Sequence, residues 1–168
     1  LAMNRAPRVA GLIILITASP AADMMQMRAH FDQALLLHDA VIRGDRAAVG
    51  PAARALAEQV AESQSGSQTP ASSRPLAALA EGARRVARAS SVLEAAVETA
   101  GVLSACGRCH RASAVTPAFP APAQPVAAGL SGHMLEHQAA VRQLVEGLVA
   151  PSDATWRNGA RALASAPL

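Results

Sequence analysis

The sequence predicts an all-α fold, and three features of its composition support this prediction. A quarter of the residues are alanine, lysine and tyrosine are absent, and the only aromatic residues are Phe31, Phe119 and Trp156. Alanine, leucine, arginine, glutamate and glutamine favour helices, whereas strands favour β-branched and aromatic residues. Apolar residues also recur at helical spacing along most of the chain. We therefore expect a bundle of two or three antiparallel helical hairpins.

The first 22 residues have the pattern of a secretory signal peptide. Arg5 and Arg8 precede an apolar run at 9–17, and small residues follow at 18–22. This order is typical of a cleaved leader, and the run is short for a transmembrane helix. We expect export, to the periplasm or beyond, with contact to a membrane only if the leader stays uncleaved. Residues 23–168 then form a single helical domain.

The charge pattern argues against a nucleic-acid partner. The chain has 15 basic and 12 acidic residues, which gives a net charge of +3, and every basic residue is an arginine. These arginines are scattered, whereas nucleic-acid-binding surfaces cluster their basic residues and often add aromatic side chains for stacking. The sequence also has no glycine-rich phosphate loop and no nucleophile elbow. We therefore expect that the protein is not an enzyme.

Six helical segments are expected after the leader. They cover residues 23–42, 46–60, 76–89, 92–111, 131–149 and 153–164. Gly44 and Asp45 interrupt the first pair, and Pro151 and Ser152 interrupt the last pair, because glycine and proline favour turns. Each pair of consecutive helices is therefore predicted to form a hairpin.

Two polar stretches are predicted to separate the three hairpins. Residues 63–75 are rich in serine, and residues 116–125 are rich in proline. Such compositions are typical of loops and linkers. Within the middle hairpin, Ser91 followed by Glu94 matches a capping box and predicts the start of the fourth helix.

The chain also repeats part of its own sequence at a shift of 107 residues. Met27 aligns with Met134, His30 with His137 and Leu37 with Leu144, and residues 53–57 align with 160–164 without a gap. The repeat predicts that the first and last hairpins share a local structure.

Residues 106–110, Cys-Gly-Arg-Cys-His, are the most specific motif in the chain. This C-x-x-C-H spacing is the attachment pattern of c-type haem. Two thiols three positions apart on a helical turn can each form a thioether with a haem vinyl group. The imidazole of His110 then faces the iron from the same side. We therefore expect one covalent haem, held by Cys106, Cys109 and His110.

Other interpretations of the two cysteines remain open. A thioredoxin-like dithiol belongs with a βαβ pattern, which this sequence lacks. A structural zinc site needs four ligands, which Cys106 and Cys109 could form together with His133 and His137. A disulfide between the two cysteines is a further alternative.

The hairpins and the motif together resemble the cytochrome c-prime and cytochrome b562 group of four-helix bundles. The resemblance covers residues 24–112, and its specific part is the C-x-x-C-H motif. The His133-Met134-x-x-His137 segment also resembles that of bacterial monohaem cytochromes with a similar segment after the motif. The resemblance implies a periplasmic haem protein that transfers electrons or binds a small ligand. Unlike the c-prime pattern, this chain continues for many residues beyond the motif.

The second axial ligand of the iron has four candidates in the sequence. A fifth helix that starts at the haem end would bring Met134 and His137 close to His110. An up-down-up-down order of the first four helices would bring Met27 and His30 to the same end. We expect a six-coordinate haem, with Met134 or His137 favoured over Met27 or His30.

These observations predict an exported monohaem c-type cytochrome that exchanges single electrons with redox partner proteins. One alternative is a five-coordinate haem protein that binds a small gas ligand. Another, from a different class, is a haem-free helical module with a zinc or disulfide staple.

Overall fold

The computed structural model describes residues 20–66, 70–119 and 128–165. The regular elements of these ranges are all helices, with no strand among them, which confirms the predicted all-α class. The helices are α1 (Pro20–Ile42), α2 (Arg46–Gly66), α3 (Pro70–Arg88), α4 (Val92–Ala112), α5 (Gly129–Val149) and α6 (Asp153–Ser165).

The predicted loop at 63–75 is largely wrong. Helix α2 continues to Gly66 and α3 begins at Pro70, so only residues 67–69 lie between them, outside the described ranges. The hydroxyls of Ser63 and Ser65 donate to the carbonyl oxygens four residues earlier, at 2.9 and 3.3 Å. Serine that bonds back to its own helix in this way is compatible with helix, so a serine-rich stretch need not be a loop.

This shorter connection also removes the long crossover expected between the first two hairpins. Helix α2 packs directly on α3, in addition to the contacts of α1 with α2 and of α3 with α4. Helix α4 also contacts α1, which closes these four helices into a bundle. Its core contains fully buried side chains from all four helices, including Leu37, Leu56, Val60, Val86 and Val102.

Helix α4 begins at the predicted cap, Ser91. The hydrogen bond made by the Glu94 side chain, however, differs from that of a capping box. The Ser91 hydroxyl accepts a hydrogen bond from the Glu94 amide at 3.1 Å. The Glu94 carboxylate bonds to the amide and the hydroxyl of Ser90, both at 2.7 Å, rather than to the Ser91 amide. These bonds lower the pKa of Glu94.

The turns of the first and last hairpins are built in the same way. The amides of Asp45 and Ser152 each donate to the carbonyl oxygen five residues earlier, at 2.9 Å in both turns. The side-chain oxygens of the same two residues accept from the amide three residues later, at 3.1 and 3.2 Å. Asp45 and Ser152 are thus the N-caps of α2 and α6, and they are 107 residues apart.

Helices α5 and α6 approach each other closely because glycines line their contact. A Cβ atom on Gly147 would lie 2.6 Å from the backbone nitrogen of Trp156. A Cβ atom on Gly159 would lie 2.7 Å from the carbonyl oxygen of Ala140. Such distances are too short for real Cβ atoms, so both positions depend on glycine.

Most of the predicted leader lies outside the described residues. Residues 1–19 are not described, and 20–22 form the start of α1. Among the helices that the structure describes, none combines the length and the apolar character needed to cross a bilayer.

Candidate functional site

The C-x-x-C-H motif occupies the last two turns of α4. At 100° per residue, Cys109, Cys106 and His110 fall within an arc of about 100° on one side of this helix. Cys109 is buried, and Cys106 and His110 are half-buried, so this arc faces into the protein. Both thiols are free rather than joined in a disulfide. The helix therefore presents the three motif side chains together on its inner face.

Burial keeps both thiols protonated. Burial raises the pKa of Cys106 to about 12, and the neighbouring Cys109 adds to this effect. Burial also raises the pKa of Cys109, while a hydrogen bond involving Ser113 acts in the opposite direction. Because the thiolate is the reactive form, both cysteines are weak nucleophiles in this folded conformation.

The imidazole of His110 is oriented by a neighbouring helix. Its Nδ1 atom lies 2.7 Å from the carbonyl oxygen of Val149, at the end of α5. A carbonyl oxygen only accepts, so Nδ1 carries the proton and donates it. Nε2 is then left with a free lone pair. A histidine that ligates a metal commonly donates its other N–H to a carbonyl in this way.

The last turn of α5, rather than its first, lies beside the motif. The Gly107 backbone contacts the carbonyl group of Leu148 so closely that a Cβ atom at this position has no room. Together with the bond from His110 to Val149, this contact fixes the carboxyl end of α5 at the motif. The expectation that the fifth helix begins at the motif is therefore wrong.

The length of the intervening segment explains this difference. Residues 113–128 can span roughly 50 Å when extended, which exceeds the ~30 Å length of α4. Residues 113–119 are not helical, as the predicted linker requires, and 120–127 lie outside the described ranges. A segment of this length can return along the whole of α4 before α5 starts.

The favoured distal ligands are consequently far from His110. Met134 and His137 precede Val149 by 15 and 12 residues, which corresponds to about 22 and 18 Å along the axis of α5. In this arrangement neither side chain reaches the motif. The distance of Met134 and His137 from the motif argues against the preference for them, and the distal ligand stays a prediction.

The first turns of α1 lie at the same end of the protein as the motif. The rings of Phe31 and Phe119 pack with their centroids 5.0 Å apart, and Phe119 follows the motif by nine residues. Met27 is half-buried one turn before this contact. The packing of α1 on α2, α2 on α3 and α3 on α4, together with the contact of α4 with α1, agrees with the predicted up-down-up-down order.

His30 is buried and belongs to a chain of hydrogen bonds between α1 and α2. Its Nε2 atom lies 2.8 Å from the Ser63 hydroxyl, which donates to the Gln59 carbonyl oxygen at 2.9 Å. Nε2 is therefore the donor of this chain, and the buried Nδ1 atom has no partner among the described residues. Burial lowers the pKa of His30, against a smaller opposing effect of the Gln59 carbonyl. The ring is neutral and keeps one unused lone pair.

The structure does not assemble the alternative zinc site. His133 and His137 lie together on α5, with ring centroids 4.3 Å apart. They share the early turns of the helix, whereas both cysteines lie beside its last turn. In the part of the chain that the structure describes, no three histidine, cysteine or acidic residues converge as a metal site.

A surface cleft of about 320 Å³ opens beside the motif, between the end of α4 and the start of α6. Arg108 and Arg111 line it from α4, and Trp156 lines it from α6. The two cysteines and His110 do not line this cleft. Sequence reasoning missed the cleft because it depends on the docking of the α5–α6 hairpin against α4 through α5, which no local pattern encodes.

No protein-family model, curated protein or solved structure matches this chain. The functional argument therefore rests on the residues of the site. Two unpaired thiols and an imidazole with a free Nε2 lie on one inward-facing arc of α4. These are the donor groups that a covalently attached haem requires, so the described residues fit that group.

Proposed function

We propose that the protein is an exported c-type cytochrome that exchanges single electrons with redox partner proteins. Cys106 and Cys109 attach one haem through thioether bonds, and His110 is its proximal ligand. The observation that carries this proposal is the bond from His110 Nδ1 to the Val149 carbonyl, within a C-x-x-C-H motif.

The Val149 carbonyl gives His110 two properties that suit an iron ligand. It selects the tautomer with a lone pair on Nε2, and it holds the ring in one orientation. A hydrogen bond of this kind also makes the imidazole a more basic ligand, which is one way in which a protein adjusts a metal centre. When bound, a haem supplies an iron centre that gains and loses one electron. The chain itself orients the ligand through the Val149 carbonyl.

The export step rests on the leader pattern in residues 1–22. Thioether attachment of haem takes place after export, so the leader and the motif support the same location. N-terminal sequencing of exported material is expected to find a start near Ala22. A membrane-bound chain that retains residues 5–21 would instead indicate an anchored protein.

Covalent attachment can be tested by haem staining after denaturing electrophoresis. The full chain, expressed with a c-type maturation system, is expected to keep its haem stain. The stain should be lost when both Cys106→Ala and Cys109→Ala are introduced. Ser104→Ala on the same helix is a matched control and should stain like the wild type. Staining that survives the double substitution would refute the thioether assignment.

The position of α5 favours a second candidate, a five-coordinate haem protein that binds a small gas ligand. With Met134 and His137 distant from the motif, the nearby candidates for a sixth ligand are Met27 and His30. A high-spin spectrum that changes readily with carbon monoxide would support this second candidate. A low-spin spectrum that becomes high-spin in Met27→Ala or His30→Gln would support the six-coordinate electron carrier.

A further inference from the structure

His133 and His137 form a pair that the haem proposal does not use. They are four residues apart on α5 and therefore share one face. Their ring centroids are 4.3 Å apart and the ring planes are tilted by 56°. His137 Nε2 is buried and has no hydrogen-bond partner among the described residues. A buried ring nitrogen with no partner is uncommon, because leaving a polar atom unsatisfied costs free energy.

The spacing of the two rings suits a shared metal ion. Imidazole nitrogens bind first-row metals at about 2.0–2.1 Å, so two of them on one ion lie roughly 3 Å apart. The two rings already lie side by side, with their centroids 4.3 Å apart. Two histidines at i and i+4 of a helix are also the spacing that zinc proteases use for two of their ligands.

The surroundings of the pair determine what kind of site it is. No third histidine, cysteine or acidic residue joins the pair in the described part of the chain, so water completes the coordination. Both histidines are half-buried, so solvent reaches the pair only in part, and His137 Nε2 is on the buried side. Imidazole ligands bind Cu²⁺ more tightly than Ni²⁺ or Zn²⁺. A two-nitrogen site therefore selects Cu²⁺ by affinity rather than by a closed cage.

We propose that His133 and His137, which are both half-buried, chelate one Cu²⁺ ion beside the early turns of α5. This site lies about 18 Å along the helix from the Val149 carbonyl that orients His110. It is separate from the haem-attachment motif, and it does not require that the chain carry a haem.

The test uses the full chain in a Cys106→Ala/Cys109→Ala background, because free thiols reduce Cu²⁺. Copper binding is measured by calorimetric titration with Cu²⁺, and the electron paramagnetic resonance spectrum is recorded with one equivalent. We expect one ion per chain and hyperfine splitting from two nitrogens. His133→Gln or His137→Gln should each weaken binding roughly a hundredfold, because either change removes the chelate. His38→Gln, a change on α1, is the matched control and should leave the affinity unchanged.

Several outcomes would overturn the proposal. Equal weakening by His38→Gln, or a one-nitrogen spectrum in the unsubstituted chain, would show that copper binds elsewhere. Unchanged affinity in His133→Gln would show that the two rings only pack against each other. Circular dichroism of each variant establishes that it is folded, and His133→Gln alone decides the question if His137→Gln is not. The same titration on the folded, haem-loaded chain, with both cysteines present, should show the same two-nitrogen site.

Discussion

The α1–α2 and α5–α6 hairpins are related by the 107-residue repeat and turn through the same hydrogen bonds, yet they are buried to different degrees. Leu37 and Leu56 in the first hairpin are fully buried. Leu144 and Leu163, at the equivalent positions of the last hairpin, are only half-buried. The first hairpin packs on α3 and α4, whereas the last meets the other helices mainly at α4.

This difference shows that the local sequence determines the turn of a hairpin but not how deeply the hairpin is buried. The local sequence determines the turn, because Asp45 and Ser152 cap their helices with equivalent bonds in both hairpins. Burial depends on how many other helices pack against the hairpin, and the repeated sequence does not determine that number. The same pattern of apolar residues can therefore form a core or cover a surface.

The largest expected effect tests this difference in burial. Leu56→Ala should lower the free energy of unfolding by about 3 kcal/mol, because a fully buried leucine leaves a cavity when it is truncated. Leu163→Ala, at the equivalent position of α6, should cost about 1 kcal/mol because its side chain already contacts water. Denaturant unfolding of both variants provides the comparison. Equal losses would mean that the two hairpins contribute equally to the core.

A smaller effect is expected from making the contact between α5 and α6 resemble that of the first hairpin. Gly147 is equivalent to Ala40 of α1, and the backbone of Trp156 occupies the space that a Cβ atom on Gly147 needs. Gly147→Ala should therefore lower the free energy of unfolding by about 2 kcal/mol through overpacking.

Gly101→Ala is the matched control for this change. Gly101 is also helical, but a Cβ atom there meets nothing within 4 Å. This substitution should stabilise the protein by up to about 1 kcal/mol, because alanine favours helix. If Gly147→Ala proved as benign as Gly101→Ala, the close approach of α6 to α5 would be disproved.

The smallest effect concerns His30, the histidine of the first hairpin that the repeat aligns with His137. Burial lowers the pKa of His30, so below its ordinary value of 6.5 the unfolded chain takes up a proton that the folded chain resists. Stability contributed by His30 should therefore decline as the pH falls from 6.5, by at most about 1.4 kcal/mol per pH unit. Denaturant unfolding of His30→Gln between pH 7 and pH 5 should show a flatter decline than the wild type.

Much of the fold could be predicted from local patterns. The boundaries at Ile42, Arg46, Val92 and Val149 agree with the structure, because turn residues and caps mark them directly. The 63–75 stretch was misinterpreted because its composition suits both a loop and a helix. Serine side chains can bond to the helix backbone, and composition alone does not show that they do.

The sequence predicts which residues form the candidate site, but it does not predict what surrounds them. The C-x-x-C-H spacing selects Cys106, Cys109 and His110 as candidates, and their role in haem attachment stays a prediction. Val149 as the partner of His110 had no sequence signal, since the contact joins residues 39 positions apart. The direction of α5 was also hidden, because a long linker permits either end of a helix to meet the motif.

The placement of Trp156 gives the molecule an optical reporter. It is the only tryptophan in the chain, and its indole is 45% exposed in the cleft between α4 and α6. Its fluorescence therefore comes from a single position, next to the helix turn that carries Arg108 and Arg111. A coloured group attached to the same turn would quench this fluorescence by energy transfer. The intensity of the emission thus distinguishes chains that carry such a group from chains that do not, without an added label. A shift of the emission wavelength reports when α6 separates from the rest of the protein.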